Sequence, residues 1–208
     1  MALILYILFL LVAVVGRVIL QYRITGDHGL RPATTNASIQ NKSSSILFVI
    51  TFLSTFSLSI LEALNIIEAQ INFGLAGLIT GTLLCALGII TTIISQYQMG
   101  SEWRIGVDER EKTTLITHGL YSYVRNPIYS GVILFGLGLL FFIPHMYMLL
   151  GLCAGYLSIE LHVRNTEEPY LRRLHGTIYE TYAKKVNRYF PKTLTNKRAL
   201  TRRSKRIF

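Results

Sequence analysis

The sequence predicts an all-α, polytopic membrane helix bundle: about five transmembrane helices followed by a C-terminal amphipathic helix. Two observations carry that reading. Hydrophobic residues make up 51% of the 208 positions and are gathered into blocks long enough to cross about 30 Å of hydrocarbon as helices. The basic residues avoid every second connection between those blocks.

The apolar runs cover about residues 2–20, 46–67, 73–95, 128–143 and 146–163. The first lacks a basic leader and a small-residue cleavage site, so it is expected to be a retained anchor rather than a cleaved signal peptide. The second is rich in Ser and Thr. The third and fourth carry Gly74, Gly77, Gly81, Gly88, Gly131, Gly136 and Gly138, which would let helices approach closely in lipid. Pro144-His145 splits the last two runs into a tight hairpin.

Five spans leave connections at 21–45, 68–72, 96–127 and 144–145, and a tail from 164. All 21 Lys and Arg residues then lie at one membrane face: eight between Arg17 and Arg125, the rest from Arg164 onward. The positive-inside rule makes that face cytoplasmic, with the N-terminus outside and the C-terminus and any active site inside. The bundle is thus expected over 1–163, with a cytoplasmic loop at 96–127, an amphipathic segment over 164–191 and a basic tail over 192–208. The net charge of +10 sits mostly in that tail, where anionic headgroups are the expected partner rather than nucleic acid.

Cys85 and Cys153 lie in apolar runs, and the five histidines show no ligand spacing, so no disulfide framework or metal centre is expected. The glycines do not form a dinucleotide-binding turn after a strand. Beyond Glu167-Glu168, the residues Leu171, Leu174, Ile178 and Tyr182 recur at helical spacing opposite a Lys/Arg face. That pattern predicts one amphipathic helix ending at Phe190-Pro191.

Three groups of residues can carry chemistry. In Arg125-Asn126-Pro127-Ile128-Tyr129, proline keeps Asn126 extended and starts a helix, presenting N–H groups suited to a carboxylate or a ribose oxygen. Tyr121, Tyr123 and Tyr129 could lie against an adenine or a cation; equally, they could form an interfacial belt. Glu160, Arg164, Glu167 and Glu168 come next. An uninterrupted helix would put Glu160 and Glu167 on one face with Arg164 between them. These are either ordinary i,i+4 pairs or a functional carboxylate at the membrane surface. Last is Met99–Val107 with Trp103, the only tryptophan, as interfacial anchor or pocket wall.

Residues 99–191 resemble the isoprenylcysteine carboxyl methyltransferase-like family, which is related to phospholipid methyltransferases. Leu115, Ile116, Thr117, Gly119, Tyr121, Arg125, Pro127, Tyr129 and Gly131 match its first motif, Glu167, Glu168 and Leu171 its second. Gly176, Tyr179, Tyr182, Val186 and Pro191 match its third. The resemblance implies S-adenosyl-L-methionine bound by Leu115, Ile116, Tyr121, Asn126, Pro127, Tyr129 and Glu167. It implies a lipophilic or prenylated acceptor near Trp103, Arg104 and Arg164, with Glu167, Arg164 and Glu168 as candidate catalytic residues. Methyl transfer at the cytoplasmic face, most like isoprenylcysteine carboxyl O-methylation, is the implied activity. The alternatives are phospholipid or amine N-methylation, an NADPH-dependent reductase like the sterol reductases, and a non-enzymatic lipid-binding membrane protein. Asn126 stands where the family usually has histidine, and Val163 where it often has an acceptor-binding arginine.

Overall fold

The computed structural model describes residues 1–31, 39–106 and 112–192, without the side chains of 39–42. The expected basic tail lies outside the described residues except for Lys192, as do 32–38 of the first cytoplasmic loop and Arg110 of the third. Helices account for the fold, and no strand forms among the described residues. Four helices are long and apolar enough to cross a membrane, and a fifth apolar helix is shorter. The chain is a multi-pass integral membrane helix bundle.

Helix α1, Ala2–Thr25, contains a π-helical stretch over Leu10–Gly16 and ends at Gly26, whose φ of 73° is the left-handed cap that glycine takes most easily. Its buried residues, Ala2, Tyr6, Phe9, Ala13, Arg17 and Gln21, recur every three or four positions and form one stripe. Helix α2, Ile39–Ala63, disposes of its hydroxyls internally. Thr51, Ser54, Thr55 and Ser59 each donate to the carbonyl four residues back, which removes polar groups from lipid. Tyr6 ties α1 to α2 through its hydroxyl, 3.0 Å from both the Phe52 carbonyl and Thr55 Oγ1.

Helices α3, Gly74–Met99, and α4, Pro127–Phe142, pack backbone to backbone. A Cβ on Gly88 would stand 2.6 Å from the Gly131 carbonyl oxygen, and one on Gly138 2.7 Å from the Cys85 nitrogen. The glycine stripe is the contact itself. Pro144 ends the short helix α4, and α5, Met146–His162, turns back against α2.

Two departures from simple periodicity shape the site. Helix α5 passes without a break through a π-helical turn, Val163–Glu167, into α6, Glu168–His175. The amphipathic helix expected to follow is two helices: Gly176, at φ 52°, separates α6 from α7, Thr177–Lys185. After α7 the chain runs extended and returns to the start of α4, where Val124 bridges Asn187.

Candidate active site at one end of the bundle

Asn126 precedes Pro127, the first residue of α4, and takes φ −126° and ψ 62°, outside the helical region as the following proline requires. The returning extended segment fixes it there. Arg125 N–H donates to the Asn187 carbonyl at 2.7 Å, Asn126 N–H to the Arg188 carbonyl at 2.9 Å, and the Ser130 hydroxyl to the Tyr189 carbonyl at 2.8 Å. The main chain around Asn126 is thereby satisfied, yet its side-chain Nδ2 is enclosed with no hydrogen-bond partner. A buried amide donor left unpaired costs about 1–3 kcal/mol, and Asn126 Nδ2 has no partner among the described residues.

Tyr129, within the first turn of α4, donates its hydroxyl to Glu167 Oε1 at 2.5 Å. His162 Nε2 lies 3.5 Å from the same oxygen. Asn126, Pro127, Tyr129 and Glu167 thus meet where the start of α4 faces the π-helical turn.

Glu168 is the opposite kind of carboxylate. It is 4% exposed, and two arginines fill its coordination: Arg125 Nη2 and Arg188 Nε each 2.7 Å from Oε1, with Arg188 Nη2 2.9 Å from Oε2. Arg125 also donates to the carbonyls of Ala183 and Val186 at 2.8 and 2.6 Å, so the pair clamps the end of α7. Arg188 Nη1 reaches Glu160 Oε1 at 3.0 Å, and the Tyr189 hydroxyl donates to Glu160 Oε2 at 2.8 Å. Hydrogen bonding to Glu168 pushes the Arg188 pKa up, so the clamp stays charged at any relevant pH. Arg164 pairs with Glu160, but its side chain is 59% exposed.

Tyr121 is buried between α3 and α7. Its hydroxyl lies 3.4 Å from the Ser95 carbonyl, and its own carbonyl accepts from Tyr182 at 2.5 Å. Burial raises the Tyr121 and Tyr182 pKa values, and that of Tyr179 to about 12, so these phenols remain donors. Leu115 and Ile116 lie half-buried on the extended segment leading to Tyr121. Trp103 is buried elsewhere. The Arg17 guanidinium sits 4.9 Å above its ring and Gly29 packs against its edge, which makes it a cation–π anchor for α1. Arg104 lies 4.0 Å from Glu102.

Sequence reasoning missed Arg188, Tyr189 and His162. The first two carried a signal, since buried carboxylates at 160 and 168 need cations or donors from somewhere. His162 carried none, because a five-residue spacing to Glu167 pairs nothing on an α-helix.

Residues 76–178 match the phospholipid methyltransferase family. Among solved structures, the fold is similar to that of the eukaryotic intramembrane Ras methyltransferase ICMT (isoprenylcysteine carboxyl methyltransferase). The TM-score is 0.59 at 19% identity, covering 90% of this chain and 65% of that one. The chain therefore spans about two thirds of that protein's length. No curated protein sequence matches it significantly. The family match runs from α3 to the first residues of α7, and the helical fold is shared over most of the chain, so the chain is similar to the membrane methyltransferases both in sequence and in fold.

Proposed function

We propose that the protein transfers a methyl group from S-adenosyl-L-methionine to a lipophilic acceptor. The observation that carries this reading is the Glu167 carboxylate held by Tyr129 in the first turn of the helix that Asn126 precedes, the enclosed Nδ2 of Asn126 having no partner among the described residues. A ligand bearing both hydrogen-bond acceptors and hydroxyl or ammonium donors fits that pair, and S-adenosyl-L-methionine has both. Asn126, Pro127, Tyr129 and Glu167 would hold it, with Tyr121 behind them and Leu115 and Ile116 along the adenosine. When bound, it supplies an electrophilic methyl group on a sulfonium. The tyrosine hydroxyl on Glu167 Oε1 orients that carboxylate. The protein's remaining contribution is positioning and exclusion of water.

An apolar cleft between α1, α2, α4 and α5 supports a lipophilic acceptor. Phe52, Phe135, Met148, Tyr156 and Ile159 line it. Its end at Ile133 and Ile159 packs against Tyr129 and Tyr189, so a hydrocarbon tail lying there would lead to the site. The partition of Lys and Arg supports a site at the cytoplasmic face with the N-terminus outside. Two acceptor heads fit methyl transfer: a carboxylate, as in isoprenylcysteine, or an amine, which the match to phospholipid methyltransferases favours.

Calorimetric titration with S-adenosylhomocysteine, and in parallel with NADPH, tests the reading. Saturable binding of the first that Glu167→Ala abolishes is expected. Binding of NADPH alone would point to a reductase, and binding of neither to a non-enzymatic lipid-binding protein.

A further inference from the structure

His162 is a titratable side chain at the site that the proposed reading leaves without a task. The π-helical turn is what brings it there. On a regular α-helix, positions 162 and 167 lie about 140° apart around the axis. The wider turn over Val163–Glu167 closes hydrogen bonds five residues apart, a feature that recurs at functional sites. It sets His162 Nε2 3.5 Å from Glu167 Oε1.

That oxygen also takes the Tyr129 hydroxyl from α4. Among the described residues, Glu167 is the charged group that faces the imidazole, and Tyr129 is the other titratable group at the same oxygen. A carboxylate bonded to one imidazole nitrogen fixes the proton there and leaves the other nitrogen's lone pair free. Here that free nitrogen is Nδ1. The side chain is 19% exposed, enough to be reached.

We infer that His162 is the proton acceptor of the transfer and that the acceptor group is an amine. The inference rests on the methyltransferase reading. A carboxylate is already ionised at neutral pH and has no proton to lose, whereas an alkylammonium, with a pKa of about 10, must shed one before it has an electron pair to give. The N–H bond of the ammonium breaks and its proton passes to His162 Nδ1. The freed pair on nitrogen forms the new N–C bond as the C–S bond of the donor breaks. Its electrons stay on sulfur, which turns from sulfonium to neutral thioether. The imidazolium then releases its proton to water. The amide of Asn126 stands where the family motif usually has histidine and accepts no proton at neutral pH. His162 brings an imidazole to the same cluster from a different helix.

The test uses the full-length protein in mixed micelles with labelled methyl donor. One arm offers phosphatidylethanolamine and the other N-acetyl-S-farnesylcysteine, from pH 6 to 9, for the unaltered protein and His162→Gln. Calorimetry with S-adenosylhomocysteine runs alongside. Glutamine keeps a donor toward Glu167 but cannot take a proton. The expected result is transfer to phosphatidylethanolamine with a rate that falls on the acid side as His162 protonates. His162→Gln should lower kcat about 100-fold or more, the scale of general-base catalysis, and erase the acid limb. Its S-adenosylhomocysteine affinity should stay within about twofold, since the imidazole is not among the proposed cofactor contacts. Transfer to the farnesylcysteine carboxylate, transfer to neither, an acid limb that survives in His162→Gln, or a rate loss matched by lost S-adenosylhomocysteine affinity would each overturn the inference. The last would make His162 a support for Glu167. Failure of the unaltered protein to bind S-adenosylhomocysteine would instead sink the methyltransferase reading itself, so the two failures are distinguishable.

Discussion

Glu167 and Glu168 are neighbours in the chain and opposites in their surroundings. Glu168 is sealed among Arg125, Arg188 and Arg172, its oxygens saturated by guanidinium N–H groups. Among the described residues, Glu167 Oε1 meets the Tyr129 phenol and the His162 imidazole, and the side-chain Nδ2 of Asn126, three residues before that phenol, has no partner. The difference separates a clamp from a site. Charges neutralised in place hold α6, α7 and the returning extended segment against α4. In the proposed reading, the carboxylate left with spare hydrogen-bonding capacity is the one that receives the ligand.

That contrast is breakable by mutation. The largest effect is expected at Glu168. Glu168→Ala leaves two guanidinium groups facing each other in a closed space, and breaking a buried pair this way costs about 3–5 kcal/mol. The thermal midpoint in detergent should fall on the order of 10 °C. Glu167→Ala should shift that midpoint by only about a quarter as much while abolishing detectable S-adenosylhomocysteine binding, because it costs one tyrosine hydrogen bond and a 3.5 Å imidazole contact rather than a doubly bonded guanidinium pair. If both variants unfold alike, the contrast is false.

Tyr129→Phe sharpens the comparison on the ligand side. Deleting a hydroxyl bonded to a carboxylate is worth about 1.5–3 kcal/mol, so S-adenosylhomocysteine affinity should weaken roughly 10- to 100-fold by calorimetry with the fold intact. Arg164→Ala sharpens it on the clamp side. Arg164 shares Glu160 with Arg188 but projects into solvent, and such pairs contribute about 0–1 kcal/mol. Its thermal midpoint should move by roughly 2 °C at most, against a far larger drop for Arg188→Ala.

The helical class, the apolar segments and the start of α4 at Pro127 were all legible in the sequence, because each depends on local chemistry: hydropathy, length and the proline constraint. The grouping of carboxylates was not. A fixed 3.6-residue period places Glu160 and Glu167 on one face, whereas the π-helical turn re-registers the helix. It leaves Glu160 with Arg188 and Tyr189, and turns Glu167 toward Tyr129. Likewise, Gly176 interrupts a hydrophobic pattern that reads as one helix, because a positive φ outweighs periodicity at a residue with no Cβ. Arg188 and Tyr189 act across 20 to 29 residues of chain, held by backbone hydrogen bonds from Arg125 and Asn126 that local patterns do not encode. Trp103 illustrates the reverse case, since the anchor reading and the pocket reading use the same residue, and only the packing of Arg17 separates them.

The most direct measurement pairs two substitutions in otherwise identical samples, Glu167→Gln and Glu168→Gln, each examined for S-adenosylhomocysteine affinity and thermal midpoint. The expected result is a crossed one: Glu167→Gln loses affinity with its midpoint nearly unchanged, and Glu168→Gln loses stability while the fraction still folded binds normally. Normal affinity in Glu167→Gln, or lost affinity in folded Glu168→Gln, would contradict the assignment of Glu167 to the site and Glu168 to the clamp.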